Sequence, residues 1–245
     1  MTTCLLALSL FALQNDPVPK DLTATEALEK FKTAYKAKNP SDRALAVSEL
    51  AKTPNEKIYA KLGALLLVDD LTVRIAAAKG LSTAAGENQR KAVNFLSRAF
   101  PANAGAPIVS AALVEALESM QDGLGYAILK VNLRSPDPLT ARAAIEAAGQ
   151  IRDKTFVVPL IDLARFLEAA SREALNTGPA GRTVTGGGLP GIGGPVGDPD
   201  APKRSRLLVP LIHQSLGSIT KQSFKTVAEW AEWWRHNEAE FKVQK

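Results

Sequence analysis

Asp69-Asp70-Leu71-Thr72-Val73-Arg74-Ile75-Ala76-Ala77-Ala78-Lys79-Gly80-Leu81 is the stretch on which the fold turns. Two acids open it, and a helix dipole favours negative charge at a helix start. An alanine-rich segment follows, and alanine has the best intrinsic helix propensity. The same pattern recurs on both sides. Asp42-Arg43-Ala44-Leu45-Ala46-Val47-Ser48-Glu49-Leu50 precedes it; Ile108-Val109-Ser110-Ala111-Ala112-Leu113 and Ala141-Arg142-Ala143-Ala144-Ile145-Glu146-Ala147-Ala148 follow. With Arg43, Arg74, Val109 and Arg142 taken as equivalent, the spacings are 31, 35 and 33 residues. A near-constant period in this range marks a helical repeat array. No single repeat buries its apolar face alone, so neighbours must stack.

Outward from this core, residues 23–175 read as helix after helix, divided by short runs of Pro, Gly, Asn, Asp or Ser. Thr23-Ala24-Thr25-Glu26 is a capping box, because a glutamate stands three residues after the capping threonine. Ala27, Leu28, Phe31 and Tyr35 then make an apolar stripe at helical spacing. Asn39-Pro40-Ser41, Val68 to Asp70, Phe100 to Gly105, Ser135 to Asp137 and Asp153 to Thr155 punctuate the later segments. There are 39 alanines among the 245 residues, and aromatics reach only 6%. Small side chains let helices approach closely, so the expected class is all-α, with many short helices.

Asp69 to Leu81 resembles the HEAT-repeat consensus: an aspartate, then Val-Arg, then an alanine-rich helix ending in leucine. Pro138 to Ile145 repeats the pattern with less fidelity, and the Ile108 copy lacks the arginine. The resemblance covers about residues 40–175. It implies a right-handed α-solenoid of stacked antiparallel helix pairs. It also implies that the aspartate and arginine form a structural ladder between repeats, a role carried to Asp70 and Arg74 and more weakly to Asp42, Arg43 and Arg142. The ending Ser218 to Phe224, followed by Trp230 and Trp233-Trp234, is similar to the C-terminal pattern of some exported bacterial HEAT-repeat proteins.

Three regions lie outside the array. Cys4 to Leu13 is an apolar run of ten residues, too short to span a bilayer but fitting a signal-peptide h-region. Residues 1–14 are therefore read as a signal peptide and 15–22 as a linker, although no lysine or arginine precedes the run. The competing reading is a short buried helix. Residues 176–203 hold the glycine- and proline-rich insertion, with nine glycines and five prolines up to Pro202. Residues 204–245 resume helical spacing, with Leu207, Leu208, Leu211, Ile212 and Leu216 expected on one buried face. In the last helix Val227, Trp230, Ala231, Trp234, Glu238 and Phe241 share a face. Trp230 and Trp234 are therefore expected to seal the end of the stack, while Trp233 points away and is a candidate ligand platform.

Each chemical motif has a plainer account. Gly186-Gly187-Gly188-Leu189-Pro190-Gly191 matches a dinucleotide fingerprint but lacks the flanking strand and helix. His236 is flanked by Glu232 and Glu240 at helical spacing, which reads as a charged face rather than a metal site. His213 is the only other histidine and Cys4 the only cysteine. Asp69-Asp70 sits at a helix start, and Glu115 with Glu118 lies on a polar helix side. No cofactor and no catalytic residue is expected. The net charge is +5, but the lysines and arginines are dispersed along the chain, which argues against nucleic acid.

The expected function is a non-enzymatic, monomeric scaffold for protein partners. Its concave surface would be formed by the second helix of each pair, at about residues 55–67, 88–100, 122–133 and 155–174. Lys57, Lys61, Asn94, Arg98, Lys130 and Arg165 are the candidate contacts there, with Trp233 beyond them. The alternative is an enzymatic or nucleic-acid-binding solenoid, resembling HEAT-like DNA glycosylases or the bilin-lyase repeat family. Extracytoplasmic localisation, periplasmic or secreted, follows if the signal is real; otherwise the chain is cytoplasmic.

Overall fold

The structure, a computed structural model, describes residues 23–120, 124–177 and 200–243. The apolar run at Cys4 to Leu13, the linker and the Gly186 to Gly191 string lie outside the described residues. Eleven α-helices and one short 3-10 turn account for the regular structure there, with no strand among the described residues. The helices are α1 (Ala24–Ala34), α2 (Pro40–Ala51), α3 (Glu56–Val68), α4 (Leu71–Ser82), α5 (Glu87–Ala102) and α6 (Pro107–Ser119). They continue as α7 (Leu124–Leu133), α8 (Pro138–Ile151), α9 (Val157–Thr177), α10 (Ala201–Thr220) and α11 (Val227–Asn237).

Side-chain caps start most of them. Thr23 and Thr226 form capping boxes with Glu26 and Glu229. Asn39, Asn55, Asp70 and Asp137 each accept a backbone N–H from the first turn. A cap satisfies an N–H that the helix cannot pair internally. These hydrogen bonds hold the carboxyls of Glu26, Asp70, Asp137 and Glu229 below their ordinary range. For Asp137 the Thr140 hydroxyl contributes most, then the Thr140 N–H.

The helices pack in two sets. In one, α2 lies on α4, α4 on α6, α6 on α8 and α8 on α10. In the other, α1 lies on α3, then α5, α7, α9 and α11 follow in turn. The two sets meet through sequential pairs such as α3 with α4 and α9 with α10, and the core lies between them. Leu62, Leu66, Leu81, Leu96, Leu113 and Leu117 are fully buried there. Small residues allow the close approaches. At Gly149 of α8, a Cβ would lie 3.0 Å from the Ser215 Cα of α10. The Ser215 hydroxyl donates to the Ile145 carbonyl at 2.9 Å, joining the same two helices.

Two arginines tie successive helix pairs together, although not through the expected aspartate. Arg43 of α2 donates to the Asp69 carboxylate at 2.9 Å and to the Lys38 carbonyl at 2.9 Å. Arg74 of α4 donates to the Asp69 carbonyl at 2.5 Å and to the Asn103 Oδ1 at 3.1 Å. Asp70 is instead the N-cap of α4, with its carboxylate turned to Thr72. Asp42 is exposed, and Arg142 pairs within its own helix with Glu146 at 2.8 Å. Asn103 is buried, and its amide donates to the Leu66 carbonyl at 3.0 Å. That carbonyl lies in the last turn of α3, where intrahelical donors run out.

Several boundaries differ from the sequence reading. Helix α5 runs through Pro101 to Ala102, because a proline in the last turn forfeits one bond without blocking the next. The Asn103 N–H still donates to the Ala99 carbonyl at 3.0 Å. The edges of the glycine-rich stretch belong to helices, since α9 reaches Thr177 and α10 begins at Ala201. Leu207 is 42% exposed, because Leu208, Ile212, Ser215 and Ile219 define the buried side of α10.

Asn103→Leu keeps the side-chain volume but strands the Leu66 carbonyl and frees Arg74. A stability loss of about 2–4 kcal/mol is expected, read by denaturant unfolding; an unchanged midpoint would remove Asn103 from the ladder. Asp137→Asn tests the caps through pH. A depressed folded-state pKa contributes stability above the unfolded value, near 3.8, that is lost as pH falls through the folded value. Asn caps without titrating in this range, so the acid limb of the stability profile becomes shallower in Asp137→Asn.

Candidate functional site

Among the described residues, each carboxylate held below its ordinary range is a helix-cap group. The Tyr126 hydroxyl is pushed up by burial, with the Asp153 and Glu118 charges adding to the effect. Among the described residues no three His, Cys, Asp or Glu side chains converge as a metal site. His236 bonds through Nδ1 to the Glu232 carbonyl at 2.8 Å. Glu240 leaves the expected face because α11 ends at Asn237. No helix of the described residues is long and apolar enough to cross a membrane.

Six of the seven anticipated contact residues lie on α3, α5, α7 and α9, which pack consecutively. Lys57, Lys61, Asn94, Arg98 and Arg165 are exposed, and Lys130 is half-buried. The Lys61 ammonium lies 5.7 Å from the Phe31 ring centre and 6.0 Å from that of Tyr35. Lys130 lies 5.5 Å over Phe156. All three rings belong to neighbouring segments, so these cations sit on aromatic surface rather than reaching freely outward. Arg165 is 3.9 Å from Asp162 of its own helix, a loose exposed pair.

Trp233 does not belong to this face. It lies on α11 and is half-buried among Phe224, Trp234 and Phe241, with ring centres 6.0, 6.1 and 5.8 Å away. The turn beyond the helix brings Phe241 back over it, which a wheel drawn for one helix cannot show. Trp230 and Trp234 are buried, as their spacing predicts. Trp230 donates through Nε1 to the His213 Nδ1 at 3.4 Å and meets Phe224 edge-on at 4.9 Å.

The sequence reading missed other members of the face. Arg90 and Lys91 of α5, and Arg134 just past α7, are exposed on the same side. Lys91 reaches Glu56 of α3 at 2.7 Å, so the outer faces of α3 and α5 adjoin. Exposed apolar groups accompany the cations: Leu67 at 47%, Val68 at 77% and Val131 at 76%. The repeat period carries the signal for Lys91, which stands 34 residues after Lys57.

Two clefts frame the alternatives. One of about 710 Å³ lies between α1 and α3, lined by Leu28, Phe31, Lys32, Tyr35, Lys57 and Lys61 among others. The other, about 330 Å³, separates α6 from α8 and is lined by Ser110, Val114, Leu139, Arg142, Glu146 and Gln150 among others. The charges of the second neutralise each other, because Arg142 and Glu146 are paired. Only the first holds anticipated contact residues.

Trp230→Ala is expected to lower stability by about 3–5 kcal/mol, the range for emptying a buried aromatic site. Trp233→Ala, at a half-buried position, lowers it by less than half as much in the same thermal or denaturant experiment. Equal losses would place Trp233 in the buried core.

Comparison of the chain with protein-family models, curated proteins and solved structures gave no match.

Proposed function

We propose that the chain is a right-handed HEAT-like α-solenoid acting as a non-enzymatic scaffold, with the outer face of α3, α5 and α7 as its partner-binding surface. The solenoid reading draws support from the alternate packing of helices and from the arginine bridges at two successive corners. One observation carries the functional reading. Lys57, Arg90, Arg98 and Arg134 are exposed and make no ion pair among the described residues, beside exposed Leu67, Val68 and Val131. A solvated structural face intersperses charges of both signs. Beside two acids, Glu56 and Glu87, this one gathers four unpaired cations and bare aliphatic groups, the mixture that a protein surface can cover. The proposed site of action is extracytoplasmic, on the strength of the apolar run at Cys4 to Leu13.

A photo-crosslinking residue at Asn94 or Arg98 tests the face against Ala111 or Glu115 of α6. Exposed in native extract, the α5 positions are expected to yield a discrete protein adduct and the α6 positions none. Adducts from α6 alone, or no discrete adduct from either, would overturn the assignment.

A further inference from the structure

We infer that the occupant of this face is an acidic protein segment with apolar residues interspersed among its carboxylates. The inference rests on the scaffold reading above and adds the chemistry of the partner.

Charge is divided unevenly between three consecutive helices of one set and the four helices packed beside them. Helices α3, α5 and α7 carry six lysines and arginines against two glutamates, Glu56 and Glu87. Helices α2, α4, α6 and α8 carry four cations against five acids. Of those four cations, Arg43 and Arg74 are held in the corner bonds and Arg142 pairs with Glu146, leaving Lys79. Six of the lysines and arginines that look dispersed along the chain thus share three consecutively packed helices, apart from Lys203, Arg204 and Arg206 of α10. The basic zone is also bounded. Helix α9 mixes Asp162, Glu168 and Glu173 with Arg165 and Arg172, and α1 balances two glutamates with two lysines. A partner that complements the zone must present negative charge along a length of about three helices.

The neighbouring apolar groups select among anions. Leu67, Val68 and Val131 share the exposed side with the cations, and burying them against leucine- or valine-like groups is favourable. A phosphate backbone offers them nothing. Single-stranded nucleic acid would instead call for free aromatic rings on which bases stack. The partly exposed rings of these helices are engaged elsewhere. Phe95 sits against Gly63 of α3, where a Cβ would lie 2.5 Å from its ring. Tyr126 packs on Phe156 with ring centres 5.4 Å apart. The combined demand of carboxylates and aliphatic groups is met by an acidic amphipathic polypeptide.

The experiment titrates the full chain against three fluorescein-labelled probes: an alternating glutamate–leucine peptide, a polyglutamate peptide of equal length, and a single-stranded oligodeoxynucleotide. The glutamate–leucine peptide is expected to bind most tightly and to weaken as salt rises. Combining Lys57→Glu, Arg90→Glu, Arg98→Glu and Arg134→Glu lowers its affinity at least about tenfold. Lys79→Glu, on the opposite set of helices, changes it less than about twofold. Circular dichroism melting of each variant separates lost binding from lost fold, and Leu67→Ser with Val131→Ser provides a charge-neutral second route to the same loss. Tighter binding of the oligonucleotide, equal effects of Lys79→Glu and the quadruple variant, or no peptide binding would each overturn the inference. Crosslinks from Asn94 to a partner without acidic segments would overturn it too, while leaving the scaffold reading intact. Loss of both the crosslinks and peptide binding would remove the scaffold reading as well.

Discussion

The corner bond between an arginine of one helix pair and the turn of the next is the interaction on which the arrangement depends. Arg43 and Arg74 make it in parallel fashion. Each donates to the carbonyl five residues before itself and to a side chain at the following corner. The first bond braces the turn entering the helix, and the second fixes that helix against its neighbour. A charge-assisted hydrogen bond of this kind contributes about 1.5–3 kcal/mol. The Arg43–Asp69 pair has 20% and 13% of its side-chain surface exposed, so water screens it only in part. Apolar burial supplies most of the drive for stacking, but alanine-rich faces slide easily over one another. Directional bonds at the corners set the register that such faces leave open.

The bond is not made in every copy of the pattern. The third copy of the pattern has Val109 in place of the arginine, and the fourth has Arg142 turned to Glu146. Between α6 and α8, the helices of these two copies, the 330 Å³ cleft opens. Farther on, α8 is fastened to α10 by different means: the Ser215 hydroxyl on the Ile145 carbonyl, and the absent side chain of Gly149. Close small-residue packing runs along the chain, at Gly80 of α4 as at Gly149 of α8, whereas among the copies of the pattern the arginine corner bond is confined to Arg43 and Arg74.

Much of this was legible from residue order, for identifiable reasons. Helix starts were readable because caps are local: Thr23 with Glu26 and Thr226 with Glu229 act within one turn. Buried residues such as Trp230 and Trp234 followed from helical spacing alone. The placing of Lys57, Asn94 and Arg98 on an exposed side also followed from periodicity. Asn103 was not foreseen, because an asparagine there looks like loop punctuation. Its 34-residue separation from Asp69 was the available clue. The assignment of Asp70 over Asp69 failed for a related reason. Adjacent acids differ only in which way the turn points them, and that is settled by Thr72 capturing the Asp70 carboxylate. Likewise Trp233 joined the aromatic cluster only because the chain beyond α11 returns Phe241 to it.

Charge was the property least readable along the chain, and the corner bonds explain why. A linear tally weighs Arg43 and Arg74 equally with Arg90 and Arg98, but the first two are spent inside the structure. Their partners are a single aspartate, backbone carbonyls and an amide, so a modest number of acids elsewhere does not mean a neutral surface. Once the bridging arginines and the paired Arg142 are set aside, α2, α4, α6 and α8 keep only Lys79, whereas α3, α5 and α7 carry six cations. Helices α2, α4, α6 and α8 are left without an excess of cations, and α3, α5 and α7 are left basic. From α2 to α8, the bridging arginines thus come from α2 and α4, whereas most of the exposed helical cations stand on α3, α5 and α7.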